Sequence, residues 1–287
     1  MSDEPRTHVQ TVKSLLQKHA FHTKKQFGQN FLIDDRILTQ IVAAAAVDKD
    51  TVVLEVGPGA GALTAHFAKQ AAQVLAVEKD TSLKPVLDDV LAPYGNVHLH
   101  FADCLEIDLL ELVKPYLSPG ASLVFAANLP YYVTTPILFQ VLEAGLPLAR
   151  AVVMVQKEVA DRMVASPGGK EYGVLSVGIQ YRAKAKRLFT VPPSAFLPQP
   201  GVDSAVVLLD CTAPADVTVE DESLFFRVVR AAFSTRRKTL LNALANSFPI
   251  AKADCRDWIT SAGIRPEARA ETLGIGEFAN LARQYPR

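Results

Sequence analysis

Asn128, Pro130 and Tyr131 stand where an apolar run ends, in the segment "ANLPYYVTTP" at residues 127–136. The Asn128 amide oxygen and a main-chain carbonyl near Leu129 or Pro130 could accept both hydrogens of an amine and so direct its lone pair at an electrophile. Pro130 has no main-chain N–H that would compete for this lone pair. Tyr131 could stack on a base taken out of a helix. The segment therefore predicts a site that positions the exocyclic amine of an adenine base for group transfer.

Three glycines predict a second functional feature, directly after the apolar run "TVVLEV". Gly57, Gly59 and Gly61 lie where a predicted strand passes into a helix, and glycines there allow a ligand to approach the backbone and the helix N-terminus. Their spacing is G-x-G-x-G, whereas dinucleotide-binding folds use G-x-G-x-x-G. The spacing therefore disfavours a nicotinamide cofactor.

Two carboxylates follow the next two predicted strands. Glu78 could accept hydrogen bonds from both hydroxyls of a ribose, and Asp103 could accept the exocyclic amine of adenine, although each would also suit a solvated acid or a helix cap. Ligands of open α/β sheets bind beyond the carboxyl ends of the strands, so we expect these acids in one crevice with the glycines and Asn128. This crevice predicts S-adenosylmethionine, whose sulfonium methyl is the electrophile. Without the upstream glycines, Glu78 and Asp103, the segment around Asn128 would be interpreted as a simple turn.

Strand and helix patterns alternate from residue 51 to residue 156 and must position these side chains. Continuous apolar strands alternating with helices predict an α/β fold, with a parallel sheet covered by helices on both faces. Two helices are predicted before it, and Asp34 or Asp35 can cap the second. The stretches "VLSVGIQYRAKAKRLFTV" and "DSAVVLLD" are predicted as strands, so we expect the sheet to end in an antiparallel pair.

The last quarter of the sequence changes character after "CTAPADVTVEDES". Helical patterns separated by Pro, Gly and polar breaks follow this segment. We therefore predict two domains. The ligand-binding domain spans residues 1–214 and includes an N-terminal helical extension at 1–50, and a small all-α domain spans residues 215–287.

Composition narrows the partners and the compartment. The 30 basic and 30 acidic residues cancel, so a nucleic-acid partner must be bound by local basic patches. Three cysteines and six histidines show no metal-ligand spacing, and the odd cysteine count fits free thiols in a reducing compartment. No apolar run approaches the roughly 20 residues of a membrane span, and the polar N-terminus does not resemble a signal peptide. We expect a cytoplasmic protein without a metal.

With these residues in view, the sequence resembles the ribosomal RNA adenine N6-dimethyltransferases over nearly its whole length. The matching motifs are "KKQFGQNFLID", "EVGPGAGALT", "NLPYYVTTPI", "MVQKEVADRM", "YGVLSVGIQY", "FLPQPGVDSAVV" and "AFSTRRKTLLNAL". The resemblance is strongest to the bacterial branch that dimethylates two adjacent adenosines near the 3′ end of small-subunit ribosomal RNA. It implies a Rossmann-like class I S-adenosylmethionine-dependent methyltransferase fold and a substrate in the assembling small ribosomal subunit. Because so bulky a partner must reach the crevice, we expect a monomer.

The resemblance also implies roles for individual residues, since the segment matching "GQNFL" closes over the cofactor in the family. It assigns cofactor contacts to Asn30, Leu32, Gly57, Glu78, Asp103 and Asn128. It further implies that Phe196, in the F-x-P-x-P segment, faces Tyr131 across the target base. Basic clusters are often only solvated faces, but within this family five residues are expected to contact RNA phosphates: Lys24, Lys25, Arg236, Arg237 and Lys238.

Three other functions are weighed against this one. The related enzymes that dimethylate an adenine of large-subunit ribosomal RNA share the fold, cofactor and chemistry. An RNA-binding assembly factor could keep the pocket without catalysis, although the intact segment from Asn128 to Tyr131 argues against lost activity. A nicotinamide dehydrogenase is disfavoured by the glycine spacing and by the lack of an obvious acid for hydride transfer.

Overall fold

The structure is a computed structural model that describes residues 8–24, 28–235 and 237–286, with side chains from residue 12 onward. The chain forms two compact units. The first contains residues up to Ala160 together with Lys186–Thr212, and the second contains Asp161–Ala185 and the residues from Ala213 onward. Residues 161–185 thus belong to the second unit, whereas the predicted boundary near residue 215 places them in the first domain. Within the described ranges, no helix has the length and apolar character needed to cross a membrane.

Nine strands in the described residues form one large sheet and one small one. They are β1 (Phe31–Leu32), β2 (Thr51–Val56), β3 (Gln73–Glu78), β4 (Val97–Phe101), β5 (Ser122–Asn128), β6 (Leu148–Gln156), β7 (Lys184–Val191), β8 (Phe196–Leu197) and β9 (Ser204–Asp210). The large sheet has the order β4-β3-β2-β5-β6-β9-β7, and β1 pairs with β8. Strands β2 to β6 pair in parallel with their neighbours in this order, whereas β9 runs antiparallel to β6.

Helices connect and cover the strands. In the described residues they are α1 (His8–Lys18), α2 (Asp35–Ala45), α3 (Ala62–Ala68), α4 (Lys84–Leu91), α5 (Leu109–Val113), α6 (Thr134–Glu143), α7 (Lys157–Met163), α8 (Val174–Arg182), α9 (Glu222–Ala232), α10 (Leu240–Ala245), α11 (Lys252–Ser261) and α12 (Ile275–Arg283). The two helices expected before the sheet are confirmed as α1 and α2. Asp34 is the cap of α2, because its side chain accepts a hydrogen bond from the Arg36 N–H.

The predicted α/β class is confirmed, and the strand order of the large sheet shows where a ligand crevice lies. Every residue of β2 is buried, as expected for a parallel strand with both faces covered. The chain leaves β2 towards β3 and β4 on one side and returns to β5 on the other. Such a reversal opens a crevice beyond the carboxyl ends of the two central strands. The crevice lies between the ends of β2 and β5, where Gly57 and Asn128 stand.

One predicted strand is wrong. The first half of "VLSVGIQYRAKAKRLFTV" forms helix α8, and only the second half forms β7. Five consecutive residues of α8, from Leu175 to Ile179, are buried, so the helix shows no polar face and its sequence lacks the 3.6-residue period. The Gln180 side chain donates to the carbonyls of Met163 (3.0 Å) and Ala165 (2.8 Å), which ties α8 to the chain before it.

The second unit has its own core, consistent with a compact helical body. Helices α9 and α12 supply the fully buried Phe225 and Phe278, and α11 supplies Trp258. The indole N–H of Trp258 donates to the main-chain carbonyl of Leu281 at 2.8 Å, so this large ring is buried with its polar atom satisfied. The expected helical character after residue 215 is confirmed by α9 to α12.

Candidate active site

A single pocket collects most of the residues that the sequence singles out. It lies beyond the carboxyl ends of β2, β3, β4 and β5 and is closed on one side by residues 28–32. The predicted residues that line it are Asn30, Leu32, Gly57, Gly59, Glu78, Asp103, Asn128, Pro130 and Tyr131. No group of three or more His, Cys, Asp or Glu side chains among the described residues is arranged to hold a metal ion.

The turn after β2 requires glycine at three positions, two of which, Gly57 and Gly59, line the pocket. Gly57, Gly59 and Gly61 all have positive φ, at 74°, 57° and 80°. A Cβ on Gly59 would lie 2.9 Å from a ring carbon of Phe31, closer than real contacts permit. The turn therefore brings bare backbone to the pocket at the start of α3, as a ligand bound against the main chain requires.

Glu78 is oriented by two main-chain donors. Its Oε1 accepts the Asp80 N–H at 2.8 Å and its Oε2 accepts the Gly59 N–H at 3.2 Å. The side chain is 7% exposed, and this burial raises the pKa of Glu78 despite both hydrogen bonds. Each carboxylate oxygen keeps one further lone pair, so the pair can accept two hydroxyl groups side by side.

Asp103 is already engaged on the far side of the pocket. Its Oδ2 lies 2.5 Å from the Lys79 ammonium and its Oδ1 accepts the Leu105 N–H at 3.0 Å. Burial alone would raise the pKa of Asp103, but the Lys79 partner lowers it, so the carboxylate is held in its charged form. An amine that binds Asp103 must therefore share it with Lys79 or displace that side chain.

Asn128, at the end of β5, is held in one amide orientation. Its Nδ2 donates to the main-chain carbonyl of Asn30 at 3.1 Å, and the Asn30 side chain closes its own turn on Gly28. Because the amide nitrogen is committed to this carbonyl, Oδ1 is the atom left to accept a hydrogen bond. Asn128 makes no other side-chain hydrogen bond to the described part of the chain, so its acceptor is available to a ligand.

The main-chain carbonyls next to Asn128 are not equivalent. The Pro130 carbonyl accepts the Val133 N–H at 3.2 Å and the Thr134 hydroxyl at 2.9 Å, which uses both of its lone pairs. From the sequence, Leu129 and Pro130 are equally open as partners for an amine. Since the Pro130 carbonyl is occupied at the start of α6, the Leu129 carbonyl is the better candidate.

Tyr131 is anchored through its hydroxyl. The Tyr131 and Ser204 hydroxyl oxygens share a hydrogen bond of 2.6 Å, and Ser204 is fully buried at the start of β9. Burial raises the pKa of Tyr131, and the Ser204 bond offsets part of this shift. The ring is partly exposed, so one end is fixed while a face remains open to the pocket.

Phe196 is not where the family resemblance implies. Its ring is only 1% exposed, it lies in the core beneath the sheet, and it does not line the pocket. The pairing of β1 with β8 sets Phe196 opposite Leu32, which lines the pocket. The expectation that Phe196 faces Tyr131 across a base is therefore corrected: the ring lacks the exposed face that stacking needs.

The predicted RNA contacts fall into three groups. Lys24 is paired, because its ammonium lies 2.7 Å from both Asp80 Oδ1 and Ser82 Oγ, which is at odds with a free phosphate contact. Arg237 and Lys238 are exposed in the turn before α10, in the second unit. The remaining two, Lys25 and Arg236, lie outside the described residues.

Two acidic residues at the pocket are not singled out by the sequence patterns. Glu55 lines it and is 1% exposed, its Oε2 has no hydrogen-bond partner among the described residues, and burial raises its pKa to about 8. Its signal in the sequence is a carboxylate inside the apolar run "TVVLEV". Asp80 stands behind the pocket, 3% exposed, two residues after Glu78. The unpartnered Oε2 of the buried Glu55 carboxyl is therefore available to a polar group of a ligand.

The glycine backbone at the exit of β2 and the paired acceptor oxygens of Glu78 fit S-adenosylmethionine, which carries an adenosine. A seven-stranded sheet with this order and this pocket defines a class I S-adenosylmethionine-dependent methyltransferase. The solved structure of a dimethyladenosine transferase from Plasmodium falciparum matches 88% of this chain and 95% of its own, with 28% identity and a TM-score of 0.69. That of the 23S rRNA methyltransferase ErmE matches 89% and 99%, with 25% identity and a TM-score of 0.65.

The family follows from the sequence comparisons. The model of the family described as ribosomal RNA adenine dimethylase matches residues 20–286. A ribosomal RNA small subunit methyltransferase A from Bacillus cereus (strain B4264) is 48% identical over 274 residues, which cover 94% of each chain. The chain belongs to the ribosomal RNA adenine dimethylase family.

Proposed function

We propose that this enzyme methylates small-subunit ribosomal RNA. It transfers methyl groups from S-adenosylmethionine to N6 of two adjacent adenosines near the 3′ end and gives N6,N6-dimethyladenosines during small-subunit assembly. The observation that carries the choice of subunit is the 48% identity over 94% of the chain to small-subunit enzymes, against 25% to the large-subunit enzyme ErmE.

The cofactor site is assigned to the residues of the pocket. Glu78 accepts the ribose hydroxyls and Asp103 accepts the adenine amine, beside the glycine backbone of residues 57–61. Asn30 and Leu32 cover the cofactor from the N-terminal side. When bound, S-adenosylmethionine supplies an electrophilic methyl group on a sulfonium.

The target amine is positioned by acceptors at the end of β5. An exocyclic adenine nitrogen is a poor nucleophile because its lone pair is delocalised into the ring. In the first transfer Asn128 Oδ1 and the Leu129 carbonyl accept its two hydrogens, which turns the lone pair out of conjugation, and in the second transfer one of these acceptors binds the single hydrogen that is left. Each transfer breaks the S–CH₃ bond of the cofactor, forms the N6–CH₃ bond and releases one N6 proton. The Asn30 carbonyl contributes indirectly. It accepts a hydrogen bond from Asn128 Nδ2 and so leaves Asn128 Oδ1 to accept one from the amine.

The flipped base is held by the ring of Tyr131. Stacking on this ring keeps the base out of the RNA helix, and the buried Ser204 hydroxyl fixes the ring in place. Pro130 sets the turn between β5 and α6 without a competing N–H. Arg237 and Lys238 contact RNA phosphates. They belong to the second unit, which comprises residues 161–185 and the chain after residue 212.

The protein acts on the ribosomal subunit as a monomer in the cytoplasm, where its substrate is assembled. The direct test is incubation with methyl-labelled S-adenosylmethionine and unmethylated small ribosomal subunits, followed by mapping of the modified base. Label on two adjacent adenosines near the 3′ end of the small-subunit RNA is expected. Label on large-subunit RNA alone would indicate the antibiotic-resistance branch, and binding without transfer would indicate an assembly factor.

A further inference from the structure

We propose that Asp80 is a positioning residue that fixes the pocket loop, defined as residues 28–30, against the cofactor site. The inference rests on the proposed function for the identity of the cofactor. The pocket loop carries Asn30, whose carbonyl holds the catalytic amide, so a residue that fixes this loop acts on both ends of the pocket.

The Asp80 carboxylate is buried and fully engaged. Its Oδ1 accepts the Lys24 ammonium at 2.7 Å and the Ser82 hydroxyl at 2.6 Å, and its Oδ2 accepts the Gln29 side-chain amide at 2.8 Å. Burial alone would raise the pKa of Asp80, yet these donors lower it, so the group is a carboxylate in the folded protein. Lys24 and Gln29 reach it from more than 50 residues away in the sequence, as their separations of 56 and 51 show.

The hydrogen bonds of Gln29 allow only one orientation of its side-chain amide. The main-chain N–H of Lys24 donates to Gln29 Oε1 at 2.8 Å, so the amide nitrogen of Gln29 must point at Asp80. Only an acceptor can face it. A carboxylate offers acceptors to both Gln29 and Lys24, whereas an amide at position 80 would turn an NH₂ group towards one of these donors.

Asp80 connects this loop to the cofactor site through its backbone. Its N–H donates to Glu78 Oε1, the carboxylate assigned to the ribose. At the other end of the pocket loop, the Asn30 carbonyl accepts the Asn128 amide. The loop is therefore hydrogen-bonded to the exits of both β3 and β5, on opposite sides of the pocket.

A local structural role for Asp80 can be separated from this one. Asp80 also caps a short 3₁₀ helix at Thr81–Leu83, because its side chain accepts the Ser82 N–H. Asn is as good a cap as Asp, so Asp80→Asn preserves the cap and the side-chain shape while it weakens the bonds to the loop. Position 88 offers a matched control, since Asp88 forms an exposed pair with Lys84 on α4.

The first measurement is calorimetry with S-adenosylhomocysteine on wild type, Asp80→Asn and the control Asp88→Asn. Loss of a charge-assisted hydrogen bond at the loop should weaken binding by Asp80→Asn about 10-fold, whereas Asp88→Asn should stay within about 2-fold of wild type. Lys24→Ala should also weaken the binding of S-adenosylhomocysteine, and Lys24→Arg should weaken it less. Lys84→Ala, at the partner of Asp88, should leave the affinity unchanged. Lys24→Ala should leave the salt dependence of RNA binding unchanged, because this ammonium is committed to Asp80.

The second measurement needs no ligand and separates this inference from the proposed function. Hydrogen–deuterium exchange of residues 28–32 in the free protein should be faster in Asp80→Asn than in Asp88→Asn. If wild type fails to bind S-adenosylhomocysteine, the cofactor assignment fails, but this exchange still tests the loop. Unchanged exchange in Asp80→Asn overturns the inference, and so does a uniform loss of thermal stability with no selective change at residues 28–32.

Discussion

The two walls of the pocket differ in charge. The wall formed by the exits of β2, β3 and β4 is acidic, with Glu55, Glu78 and Asp103 at the pocket and Asp80 behind it. The wall formed by the exit of β5 is neutral, with an amide, main-chain carbonyls and tyrosine rings. Carboxylates bind hydroxyls and cationic groups strongly, whereas neutral acceptors can orient an amine without protonating it. The difference indicates a division of work: the acidic wall binds the cofactor and the neutral wall does the chemistry.

The strongest test of the neutral wall is Asn128→Ala. The missing acceptor matters most as positive charge develops on the attacking nitrogen, so turnover should fall far more than RNA affinity. Removal of one preorganised hydrogen-bonding group costs on the order of 3 kcal/mol, or about 100-fold in rate. Single-turnover methylation of unmethylated subunits measures the rate, and filter binding measures the affinity. A near wild-type rate would mean that the segment is only a turn.

The matching test of the acidic wall is Glu78→Ala. A buried pair of ribose hydroxyls would lose its charged acceptor, which is worth roughly 1.5 to 3 kcal/mol, or about 10- to 150-fold in affinity. Calorimetry with S-adenosylhomocysteine measures this change. Because Glu78 also accepts the N–H groups of Gly59 and Asp80, thermal unfolding must accompany the titration. Unchanged affinity in a folded variant would remove Glu78 from the site.

A smaller effect is expected where the neutral wall is anchored. Tyr131→Ala removes the stacking ring, worth roughly 1 to 3 kcal/mol per base. Tyr131→Phe and Ser204→Ala keep the ring but break its anchor, so each should impair single-turnover methylation less than Tyr131→Ala. The double variant Tyr131→Phe with Ser204→Ala should be no worse than the worse single one, because both changes remove the same bond. Fully additive losses would show that the two hydroxyls act separately.

Substitutions in the exposed basic turn of the second unit should change RNA binding without changing the cofactor pocket. Replacement of Arg237 and Lys238 by Ala should lower the salt slope of RNA binding by roughly 0.7 to 0.9 for each phosphate that the variant no longer binds. Cofactor affinity should not change. Arg256→Ala, at an exposed arginine of the same unit that pairs with Glu267, is the matched control. Equal slopes for both variants would make the turn a solvated face.

The last prediction concerns the stability of the fold and depends on the buried Glu55 carboxyl of the acidic wall. The folded-state pKa of Glu55 is about 8, against an ordinary value of 4.5. Protonation therefore stabilises the fold fully below pH 4.5, and this contribution is lost as the pH rises through about 8. Glu55→Gln has no such loss, so its stability relative to wild type should increase between about pH 5 and about pH 8 in urea unfolding. Parallel stability curves over this window would contradict the protonated state of Glu55.

The parts of the site that depend on short patterns can be predicted from the sequence. The glycine turn, Glu78, Asp103 and Asn128 each follow a recognisable apolar strand, and parallel strands bring their ends together at one edge. Helix α8 escapes such a prediction because a helix buried on most sides has no amphipathic period. Its branched apolar residues favour a strand on local pattern alone.

The contacts between distant segments of the chain could not be predicted from the sequence. The hydroxyl bond of Tyr131 joins residues 73 positions apart, and the Lys24 ammonium finds Asp80 across 56 positions. Neither partner is implied by local spacing, so the sequence suggests RNA as the partner of Lys24 and gives Ser204 no role. Family resemblance places Phe196 in the pocket, whereas its pairing opposite Leu32 buries it.

The division of work between the two walls is tested most directly by single-turnover methylation rates measured across a range of S-adenosylmethionine concentrations, in Glu78→Ala and Asn128→Ala side by side. The account predicts that Glu78→Ala shifts the half-saturating concentration upward and still reaches a plateau near that of wild type. Asn128→Ala should lower the plateau about 100-fold or more while its half-saturating concentration changes far less. A lowered plateau in Glu78→Ala at saturating cofactor, or a wild-type plateau in Asn128→Ala, would contradict it.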